Sequence, residues 1–193
     1  MGSDVTQAEV LAGDPNSLSS CAPAIDTSGA TDRPGVVLDW QALAGLADRL
    51  ATAVATDGSP DVVVGLLRGG MVPAVLLAHA LRLRDVRAID VTHTASESVN
   101  AAKTLRPTVR NPRSLGNLRG LDVLVVDDVV GKGDTIAMAT DLVRSARASR
   151  VRTAVCAVNE LNWFATKDHD PSEVLNYIAV RCRGWVIFPW ERL

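Results

Sequence analysis

The sequence predicts an α/β fold in which a mostly parallel central sheet is flanked by helices. Five short runs rich in aliphatic residues have the composition of buried strands, and helical segments separate most of them. Aromatic residues make up only 4% of the chain, as expected when aliphatic side chains fill a sheet that is covered on both faces. Strands joined through helices imply right-handed crossovers and therefore parallel strands.

The predicted elements begin after residues 1–34, which are rich in small and polar residues and are expected to form a flexible tail. The remaining residues, 35–193, are predicted to form one domain. Asp39 is the expected N-cap of a helix that runs from Trp40 to about Thr56. The other predicted elements are a strand at 61–67, a helix at 71–83, a strand at 86–91, a strand and a helix within 121–148, and strands at 151–158 and 175–180. The polar stretch 92–119 is predicted to be a long loop, and its basic part, 103–113, is a candidate lid.

Composition excludes several classes of function. The net charge of −2 gives no reason to expect a nucleic-acid or membrane partner. No apolar run approaches the roughly 20 residues that span a bilayer, and the first residues do not have the pattern of a signal peptide. The three cysteines lack the spacing of a metal site, so free thiols in a cytoplasmic protein are expected.

The strongest functional signal is the stretch 123–135. A short hydrophobic run is followed by two adjacent carboxylates, Asp127 and Asp128, then by a loop containing Gly131 and Gly133, and then by a helix start. Glycines let the backbone N–H groups of such a loop converge, and the helix dipole favours a phosphate there. The two carboxylates can approach the vicinal hydroxyls of a sugar, one directly and the other through Mg²⁺ or water. The glycine spacing excludes both Walker A and the dinucleotide-binding fingerprint.

A second stretch, 65–74, repeats this arrangement. A strand ends, Gly69 and Gly70 expose backbone donors, and a helix begins. Arg68 adds a planar guanidinium that suits pyrophosphate oxygens. Because parallel sheets bind ligands beyond the carboxyl ends of their strands, a sugar with a phosphate at one end and a pyrophosphate at the other would bridge the two loops.

The stretch 123–135 resembles the phosphoribosyl-pyrophosphate (PRPP) motif of type I phosphoribosyltransferases. The segment Arg-Gly-Gly-x-Val-Pro-Ala and the C-terminal Gly-Trp-Val-Ile-Phe-Pro-Trp-Glu are similar to segments of the xanthine-guanine enzymes, so the resemblance spans about 61–191. It implies the type I phosphoribosyltransferase fold, with a small hood and a C-terminal base-binding segment. It also implies Mg²⁺-dependent transfer of the 5-phosphoribosyl group from PRPP to a base of hypoxanthine, xanthine or guanine type, in a homodimer. Two alternatives remain open: a non-catalytic regulatory protein that binds PRPP or a nucleotide, and a specialised transferase for an unusual base.

The resemblance assigns a role to each position of these motifs. Asp127, Asp128 and Arg68 are the predicted catalytic residues, and the two aspartates are the predicted metal site, through water or ribose hydroxyls. The predicted PRPP-binding residues are Val129, Val130, Gly131, Lys132, Gly133, Asp134 and Thr135. The pyrophosphate would lie on Leu67, Arg68, Gly69 and Gly70, with a cis peptide expected between Leu67 and Arg68. The base would contact Trp185, Val186, Asn159 and Glu191.

Three features of the sequence depart from that pattern. Gly131 stands where related purine enzymes have an acidic residue. The lysine expected near the end of the strand at 151–158 is absent, and Asn159 or Glu160 can substitute for it. The Ser-Tyr pair of the hood loop is also missing, because the only tyrosine is Tyr177. For the C-terminal aromatic residues there is a second interpretation, in which Trp185, Phe188 and Trp190 only seal the edge of the core.

Overall fold

The computed structural model of the protein describes residues 36–94 and 103–191. The predicted tail, 1–34, and part of the predicted long loop, 95–102, lie outside the described residues. The predictions for those two segments therefore stay predictions.

The described chain alternates strands and helices, as the sequence predicts. The helices are α1 (Trp40–Thr56), α2 (Met71–Ala80), α3 (Asp134–Ser145) and α4 (Glu160–Phe164). The strands are β1 (Val36–Val37), β2 (Val62–Leu67), β3 (Val86–Thr94), β4 (Lys103–Val109), β5 (Asp122–Val130), β6 (Arg150–Asn159), β7 (Tyr177–Cys182) and β8 (Val186–Ile187). Short 3-10 turns lie at Pro112–Leu115, Pro171–Glu173 and Pro189–Glu191.

Six of the strands form the central sheet in the order β4-β3-β2-β5-β6-β7. All neighbouring strands in it are parallel except β4, which runs antiparallel to β3. Strands β3 and β4 lie on one side of β2, whereas β5, β6 and β7 lie on the other, so the strand order reverses between β2 and β5. A separate two-stranded parallel sheet pairs β1 with β8. The predicted fold class is confirmed.

The core has two layers because successive side chains of a strand point to opposite faces. On one face Val63 and Leu124 pack with residues of α1 and α2, and on the other Val62 and Val123 pack with residues of α3. Helix α1 begins where Asp39 predicts, since the Asp39 carboxylate accepts a hydrogen bond from the Ala42 amide at 2.7 Å. No helix in the described ranges is long and apolar enough to cross a membrane.

Two predicted boundaries before β5 are wrong. The stretch 92–119 is not one loop, because β3 continues to Thr94 and residues 103–109 form the edge strand β4. Pro107 hides this strand from a sequence pattern, yet an edge strand tolerates proline because one side of it needs no hydrogen bonds. The predicted lid at 103–113 is therefore largely strand in the structure.

Helix α2 ends at Ala80 and not at the predicted residue 83. It ends there because Arg82 adopts a left-handed conformation and the Leu83 amide donates to the Ala78 carbonyl at 2.8 Å.

Candidate active site

The two predicted phosphate loops lie side by side at the carboxyl edge of the sheet. They follow β2 and β5, which are neighbouring parallel strands with Gly65 opposite Val126. The strand order reverses between these two strands, which is where open parallel sheets bind ligands. The structure thus brings together the residues of both motifs.

The loop after β2 rests directly on the acid pair. A Cβ atom added to Gly69 would lie 1.8 Å from Oδ2 of Asp128, and one added to Gly70 would lie 2.9 Å from Cα of Asp127. Both distances are shorter than real Cβ contacts. Residue 70 therefore requires glycine, because its Cβ would meet backbone atoms, whereas a side chain at residue 69 would displace the Asp128 carboxylate. The peptide bond between Leu67 and Arg68 is cis, as the family resemblance implies, and Arg68 is exposed in this loop.

The acid pair lies at a half-buried site with an unfavourable balance of charge. Asp127 is only 9% exposed, and its Oδ1 accepts a hydrogen bond from the Asp128 amide at 3.0 Å. Burial raises the pKa of Asp127 well above its usual value, and the neighbouring charge of Asp128 raises it further. Burial also raises the pKa of Asp128, to which the charge of Glu191 contributes. Such a pair favours a ligand that supplies a cation or hydroxyl donors.

The loop after β5 is shorter than the sequence predicts. Strand β5 continues through Val129 and Val130, and the Val130 side chain is buried in the core, so the loop proper is residues 131–133. Gly133 has a φ of +84°, and a Cβ atom there would lie 2.8 Å from the Trp163 ring. Asp134 and Thr135 then begin α3, and Lys132 is exposed. A tight glycine turn that leads into a helix N-terminus is suited to a phosphate.

The aromatic residues of the C-terminal segment divide between the two predicted roles, which are sealing the edge of the core and contacting the base. Phe188 is 1% exposed and stacks on Trp190 at a centroid distance of 4.6 Å, and Trp190 also contacts Trp40. These rings seal the edge of the core. Trp185, in contrast, is 62% exposed and available to a ligand.

Strand β8 presents the backbone of Val186 away from β1. The amides of Val36 and Leu38 donate to the carbonyls of Trp185 and Ile187. Because backbone groups of successive residues alternate between the two edges of a strand, those of Val186 point to the opposite edge. Glu191 is held back on its own segment, since its Oε2 accepts a hydrogen bond from the Phe188 amide at 3.0 Å.

Asn159 uses its side chain to hold neighbouring elements. It is 6% exposed, its Nδ2 donates to the Gly184 carbonyl at 2.7 Å, and its Oδ1 accepts from the Asn162 amide at 3.3 Å. The first bond fixes the residue before Trp185, and the second caps α4. The geometry therefore gives Asn159 a positioning role rather than a free amide for the predicted base contact.

Helix α4 is the part of this region that the sequence interpretation missed. Asn162 lies against Gly131, and Trp163, which is 2% exposed, lies against Gly133. The Trp163 Nε1 donates to the His169 carbonyl at 2.8 Å, which fixes the ring behind the loop. The available signal was Asn159 itself, because asparagine at the end of a strand is a common N-cap for the helix that follows.

Comparison with known proteins agrees with this geometry. The model of the phosphoribosyl transferase domain family matches residues 35–191. The xanthine-guanine phosphoribosyltransferase of Ruegeria sp. (strain TM1040) is 29% identical over 147 residues, which cover 76% of this chain and 77% of that protein. The corresponding protein of Gluconobacter oxydans (strain 621H) is 29% identical over 143 residues, or 73% of this chain and 74% of that protein.

Solved structures show the same architecture. The purine phosphoribosyltransferase from Pyrococcus horikoshii Ot3 has a TM-score of 0.67 and 28% identity, and the match covers 82% of this chain and 94% of that one. A hypothetical protein from Neisseria gonorrhoeae with bound ppGpp has a TM-score of 0.65 at 19% identity, covering 83% and 92% of the two chains, and it shares the fold. The chain therefore belongs to the phosphoribosyl transferase domain family and is a phosphoribosyltransferase of the type I fold.

Proposed function

We propose that the protein transfers the 5-phosphoribosyl group from PRPP to a purine-like base of the hypoxanthine, xanthine or guanine type, giving a nucleoside monophosphate and pyrophosphate. The observation that carries this proposal is the close packing of the loop after β2 on the acid pair of β5, just before the second loop. Gly69 and Gly70 pack on the acid pair that leads into the loop at 131–133, so one sugar with phosphates at both ends can reach both loops. The similarity to xanthine-guanine and purine phosphoribosyltransferases supports the purine class of base.

Each loop has a distinct task in this reaction. The amides of residues 131–135 and the start of α3 bind the 5′-phosphate, and the amides of Gly69 and Gly70 with the Arg68 guanidinium bind the pyrophosphate. Asp127 and Asp128 bind the ribose hydroxyls. The transition state resembles an oxocarbenium ion, so the protein contributes mainly by holding sugar and base in line and by excluding water.

The acid pair also fits a Mg²⁺ ion. Asp127 and Asp128 are adjacent carboxylates whose pKa values are raised by burial, and a divalent cation would offset that cost. The described ranges contain no group of three or more His, Cys, Asp or Glu residues that could hold a metal. Mg²⁺ keeps several waters and few carboxylates, so the remaining ligands would come from substrate and water. When bound, the ion would neutralise charge on the departing pyrophosphate.

The base would stack on the exposed Trp185 while the outward backbone of Val186 hydrogen-bonds to its edge.

We also propose a homodimer as the working unit. Val37 and Trp40, which are 50% and 59% exposed, form an apolar surface beside the C-terminal segment that a second copy can cover.

The proposal is tested by pyrophosphate release from PRPP and Mg²⁺ with a panel of purine and pyrimidine bases. We expect release with at least one purine-type base, and near-complete loss in the double variant Asp127→Asn, Asp128→Asn. The matched control is Asp48→Asn with Asp141→Asn, which changes charge equally on exposed surfaces of α1 and α3. Equal activity of the two double variants would contradict the assignment.

A second candidate is a regulatory protein that binds PRPP or a nucleotide without turnover. Gly131 favours it, because this position lacks the acidic side chain expected from the resemblance. Proton transfer contributes only about 10²–10⁴-fold in rate, however, so its loss slows a transferase without abolishing turnover. PRPP binding without pyrophosphate release on any base would favour the regulatory protein.

A further inference from the structure

Helix α4 places an amide side chain beside the phosphate loop. A Cβ atom added to Gly131 would lie 3.4 Å from Cβ and 3.5 Å from Nδ2 of Asn162. The absence of a side chain at residue 131 therefore leaves the Asn162 amide facing the loop directly. Asn162 is exposed, so a ligand bound on the loop can reach it.

The position of Asn162 is fixed relative to Trp185. The buried Asn159 side chain accepts from the backbone amide of Asn162 and donates to the carbonyl of Gly184, the residue before Trp185. One side chain therefore links the start of α4 to the segment that carries the exposed tryptophan. Both of its polar groups are used, so Asn159 ties the backbone of Asn162 to that of Gly184.

The Asn162 side chain is not needed for the fold. Within the two described ranges it makes no hydrogen bond, whereas Asn159 caps α4 and Trp163 anchors it to the loop at 166–169. An asparagine on a short helix could simply be solvated. Its position beside Gly131, on the loop that continues from the acid pair, distinguishes it from an ordinary surface residue.

We propose that Asn162 is a specificity-determining residue that reads the edge of the base, an inference that rests on the proposed function. An amide offers donors and an acceptor side by side, so it matches a heterocycle whose edge presents an acceptor beside a donor. Being neutral, the amide recognises the base but does not take up its proton. Gly131 leaves the space for this contact, and Asn159 is the positioning residue behind it.

The test compares the equilibrium binding of AMP, IMP, GMP and ribose 5-phosphate by calorimetry in the wild type and in Asn162→Ala. We expect Asn162→Ala to weaken binding of the preferred nucleotide roughly 3- to 10-fold, as the loss of one net hydrogen bond requires. The affinity for ribose 5-phosphate should stay unchanged. The variant Asn162→Asp, which can only accept, should weaken IMP more than AMP, because the 6-oxo group needs a donor. Leu161→Ala, at the neighbouring exposed position of α4, is the control and should change the affinity for neither the nucleotides nor ribose 5-phosphate.

The outcomes separate this inference from the proposed function. Unchanged nucleotide affinity in Asn162→Ala, or an equal loss for nucleotide and ribose 5-phosphate, would overturn the role of Asn162 even if the wild type releases pyrophosphate. If the wild type releases no pyrophosphate with any base but Asn162→Ala selectively loses nucleotide affinity, the transfer reaction is wrong and the recognition role stands. A wild type that binds neither nucleotides nor ribose 5-phosphate would overturn both.

Discussion

Replacing Asp127 by asparagine should stabilise the ligand-free protein while impairing transfer. The Asp127 carboxylate is 9% exposed beside a second carboxylate, and its pKa is raised well above the usual value by burial and then by the charge of Asp128. A raised carboxyl pKa means that folding disfavours the ionised form, so stability falls as pH rises above the unfolded pKa of about 3.9. At neutral pH the isosteric amide removes this cost and still offers Oδ1 to the Asp128 amide.

The expected gain is about 0.5–2 kcal/mol, the range common for a single stabilising substitution. A chain of this length gains about 2–4 °C in Tm for each kcal/mol, so thermal unfolding at pH 7.5 without ligand should shift upward by a few degrees. The gain should shrink at pH 4, where the unfolded-state carboxyl also becomes protonated.

Asp122→Asn is the control with the opposite sign. The Asp122 carboxylate accepts two hydrogen bonds from the Arg152 guanidinium, at 2.8 and 3.2 Å, and Arg152 is only 2% exposed. Its replacement should cost about 1.5–3 kcal/mol. If Asp127→Asn lowered Tm at neutral pH as Asp122→Asn does, the description of the acid pair as an electrostatically costly site would be refuted.

Other expectations follow from single contacts. Gly133→Ala should destabilise the protein by about 1–2 kcal/mol and weaken PRPP binding, because φ is +84° and the new Cβ meets Trp163. Chemical denaturation would measure the stability and calorimetry the PRPP affinity. An unchanged PRPP affinity would contradict the loop assignment. Trp185→Ala should weaken binding of the base by about 1–3 kcal/mol, roughly 5- to 150-fold. Tm and PRPP affinity should stay unchanged, because the ring is 62% exposed. An unaltered KM for the base would rule out stacking on this ring. Asp170→Asn should lower Tm by a constant amount above about pH 5, because the bidentate Arg181 guanidinium holds the pKa of Asp170 below its usual 3.8. The difference in Tm between wild type and variant should vanish as pH falls further. A difference that persists in acid would contradict this.

The centre of the fold could be predicted from the sequence because its signals are local. The run at 123–126 identifies a strand buried on both faces, and the following acid pair and glycines identify its turn and helix start. The placement of both loops at one edge also agrees with expectation. These features depend on neighbouring residues and on the general rule for parallel sheets. The cis bond before Arg68, in contrast, is expected only from the family resemblance.

The missed elements depend on contacts between distant residues. Helix α4 has five residues, too few to show a period, and is held by Asn159 and by the hydrogen bond from Trp163 to the His169 carbonyl. Strand β4 exists through pairing with β3 across a polar sequence that contains Pro107. The different exposure of Trp185 and Phe188 follows from the pairing of β8 with β1, which no local pattern indicates.

The most direct measurement is a crystal structure of the protein with Mg²⁺ and PRPP. The account predicts one PRPP molecule whose 5′-phosphate lies within about 3 Å of amide nitrogens of residues 131–135. Its ribose hydroxyls should contact Asp127 and Asp128, and its pyrophosphate should lie on Gly69 and Gly70. A molecule held by only one of the two loops, or a pyrophosphate bound away from the loop after β2, would contradict the central claim that both loops grip a single activated ribose.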